Sequence, residues 1–187
     1  MIIPGQIEGK RIFLASLNPD RLSLVYQQWM KDQEVLCYLA NPEGDYSPAS
    51  LRKFVKDSND NANDYLFGIF LRLDGRHVGN IKIGSIHPKH KFADLGIIIG
   101  DKKIWGQGFA TESVKLCIEY AFNQLNLHKL FAGMIEGNEG SYKAFLKAGF
   151  QDAGCYRKHV LIGKEYKDAR IVEIINERLL NPAFGPK

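Results

Sequence analysis

The chain has 187 residues, 45% of them apolar and 25% charged, with a formal net charge of +4. That suffices for one domain with a sizeable core, and acid and base are interspersed, so neither a nucleic-acid-binding arm nor an acidic tail stands out. No apolar run approaches the ~20 residues of a membrane-spanning helix. Met1-Ile2-Ile3-Pro4-Gly5 lacks a charged start and a long apolar stretch, so it does not read as a secretory leader. Cys37, Cys117 and Cys155 are odd in number and widely spaced, which fits neither a disulfide frame nor a zinc site. They read as core residues of a protein in a reducing cytoplasm.

In chain order, Lys10 to Ala15 reads as a first strand. Asn18-Pro19 signals a helix cap followed by proline, with Leu22, Val25, Tyr26 and Trp29 on one face. Ser47-Pro48 repeats the signal for a second amphipathic helix with Leu51, Phe54 and Val55. The polar run from Asp57 to Asp64 ends it. Tyr65 to Leu73 and His77 to Ile86 are strands joined at Asp74-Gly75, a short hairpin turn. His87, Lys89 and His90 follow in a loop, without metal-ligand spacing to any cysteine. Phe92 to Ile99 is the next strand.

Trp105-Gly106-Gln107-Gly108-Phe109-Ala110 then separates that strand from a helix with Val114, Cys117, Ile118, Ala121 and Phe122 on one face. Glycines let a backbone approach a ligand closely, and a helix N-terminus offers free N–H groups to an anion. The stretch is therefore a candidate phosphate cradle. It lacks the third glycine and downstream acid of the dinucleotide fingerprint, and the Gly-Lys-Ser/Thr of the triphosphate loop. Lys129 to Ile135 is a further strand. Glu139 to Ala148 is a helix with Gly149 as its stop. Phe150 to Ile162 and Glu165 to Leu179 read as two last strands, and residues 181–187 as a loose tail.

The glycine stretch resembles the pyrophosphate loop of the GNAT acyl-CoA-dependent N-acetyltransferases, with Trp105 where that family has Arg or Gln. The wording Trp-Gly-x-Gly-x-Ala-Thr-Glu is similar to the branch of ribosomal-protein alanine N-acetyltransferases and their small-molecule relatives. A second segment, Asn138-Glu139-Gly140-Ser141 through Lys147-Ala148-Gly149-Phe150, also resembles the family. The order of elements agrees, so the resemblance covers nearly the whole chain. It implies a single α/β domain over residues 1–187, with a mixed sheet of about seven strands splayed at a cofactor gap and about four helices.

The resemblance further implies acetyl-CoA as cofactor. Trp105, Gly106, Gln107, Gly108, Phe109, Ala110, Thr111, Asn138 and Lys147 would hold it, and the backbone of Ile97 and Ile99 would pair with its pantetheine amides. Many members carry a Tyr seven residues after the Asn as general acid. Phe145 stands there and has no proton to give. The alanine N-acetyltransferase branch has a Ser at the third position after the Asn, which Ser141 matches. Its hydroxyl is either a proton donor to the leaving thiolate or a helix cap. Candidate general bases are Glu136, His159 and Asp94. Asp168 reads first as a residue that positions the last strands.

The implied reaction is direct transfer of an acetyl group to a primary amine. A CoA-binding module without turnover is the rival class, kept open by Phe145. The acceptor walls would come from the first two helices and the last hairpin, where Trp29, Arg52, Arg157 and Tyr166 are candidates. Aromatics and cations suit an anionic small amine such as a nucleotide amino sugar. A ribosomal-protein N-terminus and a polyamine are the alternatives. No nucleic-acid or membrane partner is expected, and a homodimer is compatible with the resemblance.

Overall fold

The computed structural model describes residues 5–39 and 41–180. One sheet of eight strands organises them. Its order is β1 (Ile7–Glu8), β2 (Ile12–Ser16), β3 (Tyr65–Leu71), β4 (His77–His87), β5 (Phe92–Ile99), β6 (Lys129–Ile135), then β8 (Glu165–Ile175) inside β7 (Gln151–Ile162). Every neighbouring pair is antiparallel except β5 with β6, which is parallel.

Strand alternation sorts the apolar residues into two layers. Ile12, Leu14, Phe67, Ile69, Ile81, Ile83 and Leu95 share one core with Val114, Cys117 and Ala121 of helix α4 (Phe109–Asn123) and with Phe145 of α5 (Glu139–Ala148). Leu66 points to the opposite face and packs with Tyr26 and Trp29 of α1 (Leu24–Trp29), Val35 and Leu36 of α2 (Gln33–Leu36), and Leu51 and Val55 of α3 (Pro48–Asp60). A last short helix, α6, spans Glu177–Leu180.

The sequence expectations hold for the long elements and shift at the short ones. Ser47 caps α3 as expected, with its hydroxyl accepting from the Ser50 N–H. Asn18 caps only a 3₁₀ turn, Pro19–Arg21, and Ser23 is the cap of α1. Val25 and Phe54 are exposed rather than core-facing. Phe54 instead lies under the Lys82 ammonium. β8 stops at Ile175, where the Asn176 N–H turns to the His128 carbonyl and its side-chain amide to the Leu127 carbonyl. β1, α2 and α6 were not expected. They have two, four and four residues, too few to carry a periodic pattern. Cys117 is buried as expected, whereas Cys37 and Cys155 are exposed. Cys37 ends a helix of only four residues, and Cys155 lies on the outermost strand, so neither is covered by a second layer. The expected tail, 181–187, lies outside the described residues.

Candidate active site

The sheet opens at its centre. β5 and β6 pair only at Phe92 with Lys129, Ala93 with Leu130 and Asp94 with Phe131. Beyond that point β5 stays paired to β4 as far as Ile99, and β6 stays paired to β8 as far as Ile135. Each strand is held by its outer neighbour, so a wedge opens between them. The Gly100 N–H donates to the Val78 carbonyl of β4. Because hydrogen-bonded residues alternate along an antiparallel strand, Ile97 and Ile99 turn their backbone groups to the wedge. One of these groups is engaged: the Trp105 indole N–H donates to the Ile99 carbonyl at 2.8 Å.

A cavity of about 630 Å³ occupies the wedge. Ile97, Ile98 and Ile99 form its floor. The glycine loop contributes Trp105, Gly106, Gly108, Phe109, Ala110 and Thr111. Gly106 and Gly108 have φ of 73° and 82°, a backbone region that costs other residues strain. Gly108 is the N-cap of α4 and no side chain caps that helix, so its first N–H groups stay available to a ligand. A Cβ at Gly106 would enter open space, so the loop is not merely packed against protein. Bare amides at a helix start and wedge-facing strand amides suit a phosphate joined to an extended amide arm, which is the chemistry of coenzyme A.

Gln107 departs from its expected role. Its side-chain amide donates to the Lys103 carbonyl and its own carbonyl accepts from Arg11, so it faces away from the cavity. Thr111 lines the cavity while its hydroxyl donates to the Ala144 carbonyl, tying α4 to α5.

α5 supplies the opposite wall. Asn138 accepts from the Ser141 N–H through its side-chain oxygen at 3.2 Å and is the cap of the helix. The Ser141 hydroxyl does not serve as that cap, and Ser141, half-buried, lines the cavity with Asn138 and Lys147. Lys143, one turn before Lys147, joins them. Phe145 is 2% exposed, edge-on to Phe150 at 5.0 Å, and lies outside the cavity wall.

None of the three base candidates lines the cavity. Asp94 is the last β5 residue paired to β6, and its neighbours Ala93 and Leu95 point into the α4 core, so its carboxyl takes the other face. Burial pushes its pKa up, with Lys82 pulling it down and Asp64 pushing it up. Glu136 is exposed, and its N–H donates to the Asp168 carbonyl. His159 is exposed beside the Tyr156 ring, in a bulge of β7. Asp168 organises that bulge by accepting from the Lys158 N–H at 2.7 Å, the positioning part expected of it.

The expected acceptor residues are also scattered. Trp29 is buried in the α1–α3 core, pressed so closely on Gly100 that any Cβ there would overlap the indole. Arg52, Arg157 and Tyr166 are exposed and outside the cavity wall. The wall facing α5 comes instead from α2 and the turn after it: Glu34, Val35, Cys37, Tyr38 and Leu39. The Tyr38 ring packs against Gly137 across the wedge. Asp32 caps α2 and is the sequence signal for it, but four residues gave no periodicity to support it. Lys102 pairs with both Asp32 and Glu34. Its hydrogen bond to Asp32 holds that carboxyl below its ordinary range.

Comparison with known proteins agrees with this geometry. The model of the acetyltransferase (GNAT) domain matches residues 11–151, and the chain belongs to that family. It is 37% identical over 114 residues to the probable N-acetyltransferase YjcK of Bacillus subtilis, covering 60% of this chain and 62% of that protein. It is 32% identical over 99 residues to the spermidine N(1)-acetyltransferase of Escherichia coli K12, covering 53% of each. These matched stretches thus span about half to three fifths of those relatives. Among solved structures, the ribosomal-protein acetyltransferase RimL in complex with coenzyme A has a TM-score of 0.81 at 17% identity, covering 91% of this chain and 97% of that one. At that identity the likeness is one of fold.

Proposed function

We propose that the chain moves an acetyl group directly from acetyl-CoA to a primary amine of a small, positively charged acceptor of the polyamine class. The observation that carries the acceptor reading is the segregation of charge in the cavity. Lys143 and Lys147 stand on α5, and the carboxylate on the same wall, Glu139, is paired to Arg170. Glu34 stands on the facing wall, where it shares the Lys102 ammonium with Asp32 behind it. A donor with phosphates suits the first wall and a cationic amine the second. The spermidine N(1)-acetyltransferase relative supports the same class.

Bound acetyl-CoA supplies the thioester. In this reading the amides of Gly106, Gly108 and the first turn of α4 hold its phosphates, with Lys147 beside them. The free backbone groups of Ile97 and Ile99 orient the pantetheine arm. Ser141 donates its hydroxyl proton toward the sulfur, the task Phe145 cannot perform. Asp94 is the favoured base, through water, because it is half-buried at the apex of the wedge, where burial pushes its pKa up. Glu136 and His159 are both exposed to solvent.

The anionic alternative, a nucleotide amino sugar, requires Arg52 or Arg157 at the cleft, and neither lines the cavity. Thiol release from acetyl-CoA, followed with spermidine, a nucleotide amino sugar and an alanine-terminated peptide, tests the reading. Turnover fastest with spermidine supports it. Turnover with the peptide alone overturns the small-acceptor reading, and no release with any amine favours a binding module.

A further inference from the structure

Arg11 immediately precedes β2, far in sequence from the glycine loop, and yet it reaches that loop by three routes. Its N–H and its Nε donate to the two carboxylate oxygens of Glu112, at 2.7 and 2.8 Å. Its Nη1 donates to the Gln107 carbonyl at 2.9 Å. Its guanidinium carbon stands 4.2 Å from the centre of the Phe109 ring. Glu112 is in the first turn of α4 with a side chain only 16% exposed. Burial pushes its pKa up, but the Arg11 N–H and guanidinium outweigh that and hold it below the usual carboxylate range. The residue is thus ionised and fixed, and it fixes Arg11 in turn.

A peptide unit is planar, with its C=O and N–H on opposite sides. The Gln107 carbonyl and the Gly108 N–H belong to one such unit. Arg11 lies outside the cavity wall and Gly108 lines it. Holding the carbonyl on the Arg11 side therefore turns the Gly108 N–H to the cavity side. We infer that Arg11 is a positioning residue for the cofactor, holding the Gln107–Gly108 peptide in the orientation that presents the Gly108 N–H to a phosphate. The inference rests on the glycine loop being the pyrophosphate site.

The test compares coenzyme A with pantetheine, which shares the amide arm and lacks the phosphates. Arg11→Ala is expected to weaken coenzyme A binding by about tenfold in calorimetry, and to leave pantetheine binding unchanged. The KM for acetyl-CoA rises while kcat at saturation holds. Arg11→Lys keeps a charge near Glu112 but loses the planar fork, so it does not restore affinity; it also serves if Arg11→Ala folds poorly. Equal loss of both ligands, or full affinity in Arg11→Lys, overturns the positioning role. Gly108→Asp is the control for the underlying reading. Coenzyme A affinity unchanged in that variant removes the loop assignment itself. Affinity lost there but kept in both Arg11 variants overturns the inference alone.

Discussion

The indole N–H of Trp105 donates to the carbonyl of Ile99 at 2.8 Å, so the loop that follows β5 folds back and closes one of the strand's own wedge-facing groups. Trp105 is 40% exposed and lines the cavity. An extended amide arm entering the wedge therefore finds the backbone of Ile97 and the Ile99 N–H, but not that carbonyl.

A spectroscopic prediction follows from the same contact. Trp105 lies on the cavity wall, and the other tryptophan, Trp29, is buried in the separate α1–α3 core. Coenzyme A filling the wedge should reduce the water around Trp105 and shift its emission to shorter wavelength. The shift should vanish in Trp105→Phe and persist in a Trp29→Phe variant that folds. A ligand-induced shift carried by Trp29 instead would place the ligand elsewhere.

Ser141→Ala is expected to lower kcat by roughly 10²-fold with little change in the KM for acetyl-CoA. The helix should survive, because Asn138 rather than the Ser141 hydroxyl caps α5. Normal turnover in the variant would remove Ser141 from the chemistry. Phe145→Tyr should not rescue it. Phe145 is 2% exposed against Phe150 and off the cavity wall, so a hydroxyl there buries a polar group away from the reaction at a cost of about 1–3 kcal/mol. Melting temperature and turnover of the double variant decide this: a stable, reactivated enzyme contradicts the packing argument.

Long elements and glycine chemistry were legible in the sequence, and short or long-range features were not. β5, the glycine loop and α4 announce themselves because an apolar run, two glycines and an apolar face succeed one another within thirty-two residues, Phe92 to Asn123. The cap at Ser47 was legible because capping is local. The acceptor-side wall was not, since α2 has only four residues and Tyr38 reaches Gly137 across the wedge. Trp29 looked like a binding aromatic because sequence alone does not show that Gly100 lies against it. The Arg11 clasp was invisible for the same reason: its partners lie about a hundred residues away.

Stability should fall as pH drops through the neutral-to-acid range because of His77. It is buried beside Trp29 and Phe70. Nε2 faces two acceptors, the Gly79 carbonyl and the Asn80 side-chain oxygen, and so carries the proton, while Nδ1 meets the Ser23 hydroxyl. Burial lowers its pKa from 6.5, against the opposing pull of Asn80 and Gly79. Above the unfolded value both states are neutral and the stability is fully present. As pH falls below it, the unfolded chain gains a proton that the folded chain resists, and stability is lost until the folded pKa is passed. Melting at about pH 7.5 and about pH 5.5 should show a drop that His77→Gln reduces. An equal drop in a folded His77→Gln protein would assign it to other groups.

The acceptor prediction turns on Glu34 against the two arginines. Glu34 lines the cavity on α2 and is 64% exposed there, sharing the Lys102 ammonium with Asp32. A cationic acceptor would be drawn to the Glu34 carboxylate and would compete with Lys102 for it. Glu34→Gln removes the charge at nearly constant shape, and Lys102 then satisfies Asp32 alone. The KM for spermidine should rise at least about tenfold, or about 1.4 kcal/mol, while the KM for acetyl-CoA stays the same. Raised salt should increase the spermidine KM of the unaltered chain more than that of the variant, because charge attraction at an exposed rim is screened. Arg52 and Arg157 are exposed and off the cavity wall, so Arg52→Ala and Arg157→Ala should leave spermidine turnover unchanged. The opposite pattern would reverse the assignment. If either arginine variant loses activity toward a nucleotide amino sugar while Glu34→Gln is silent with spermidine, the acceptor is anionic, and acetyl transfer itself still stands.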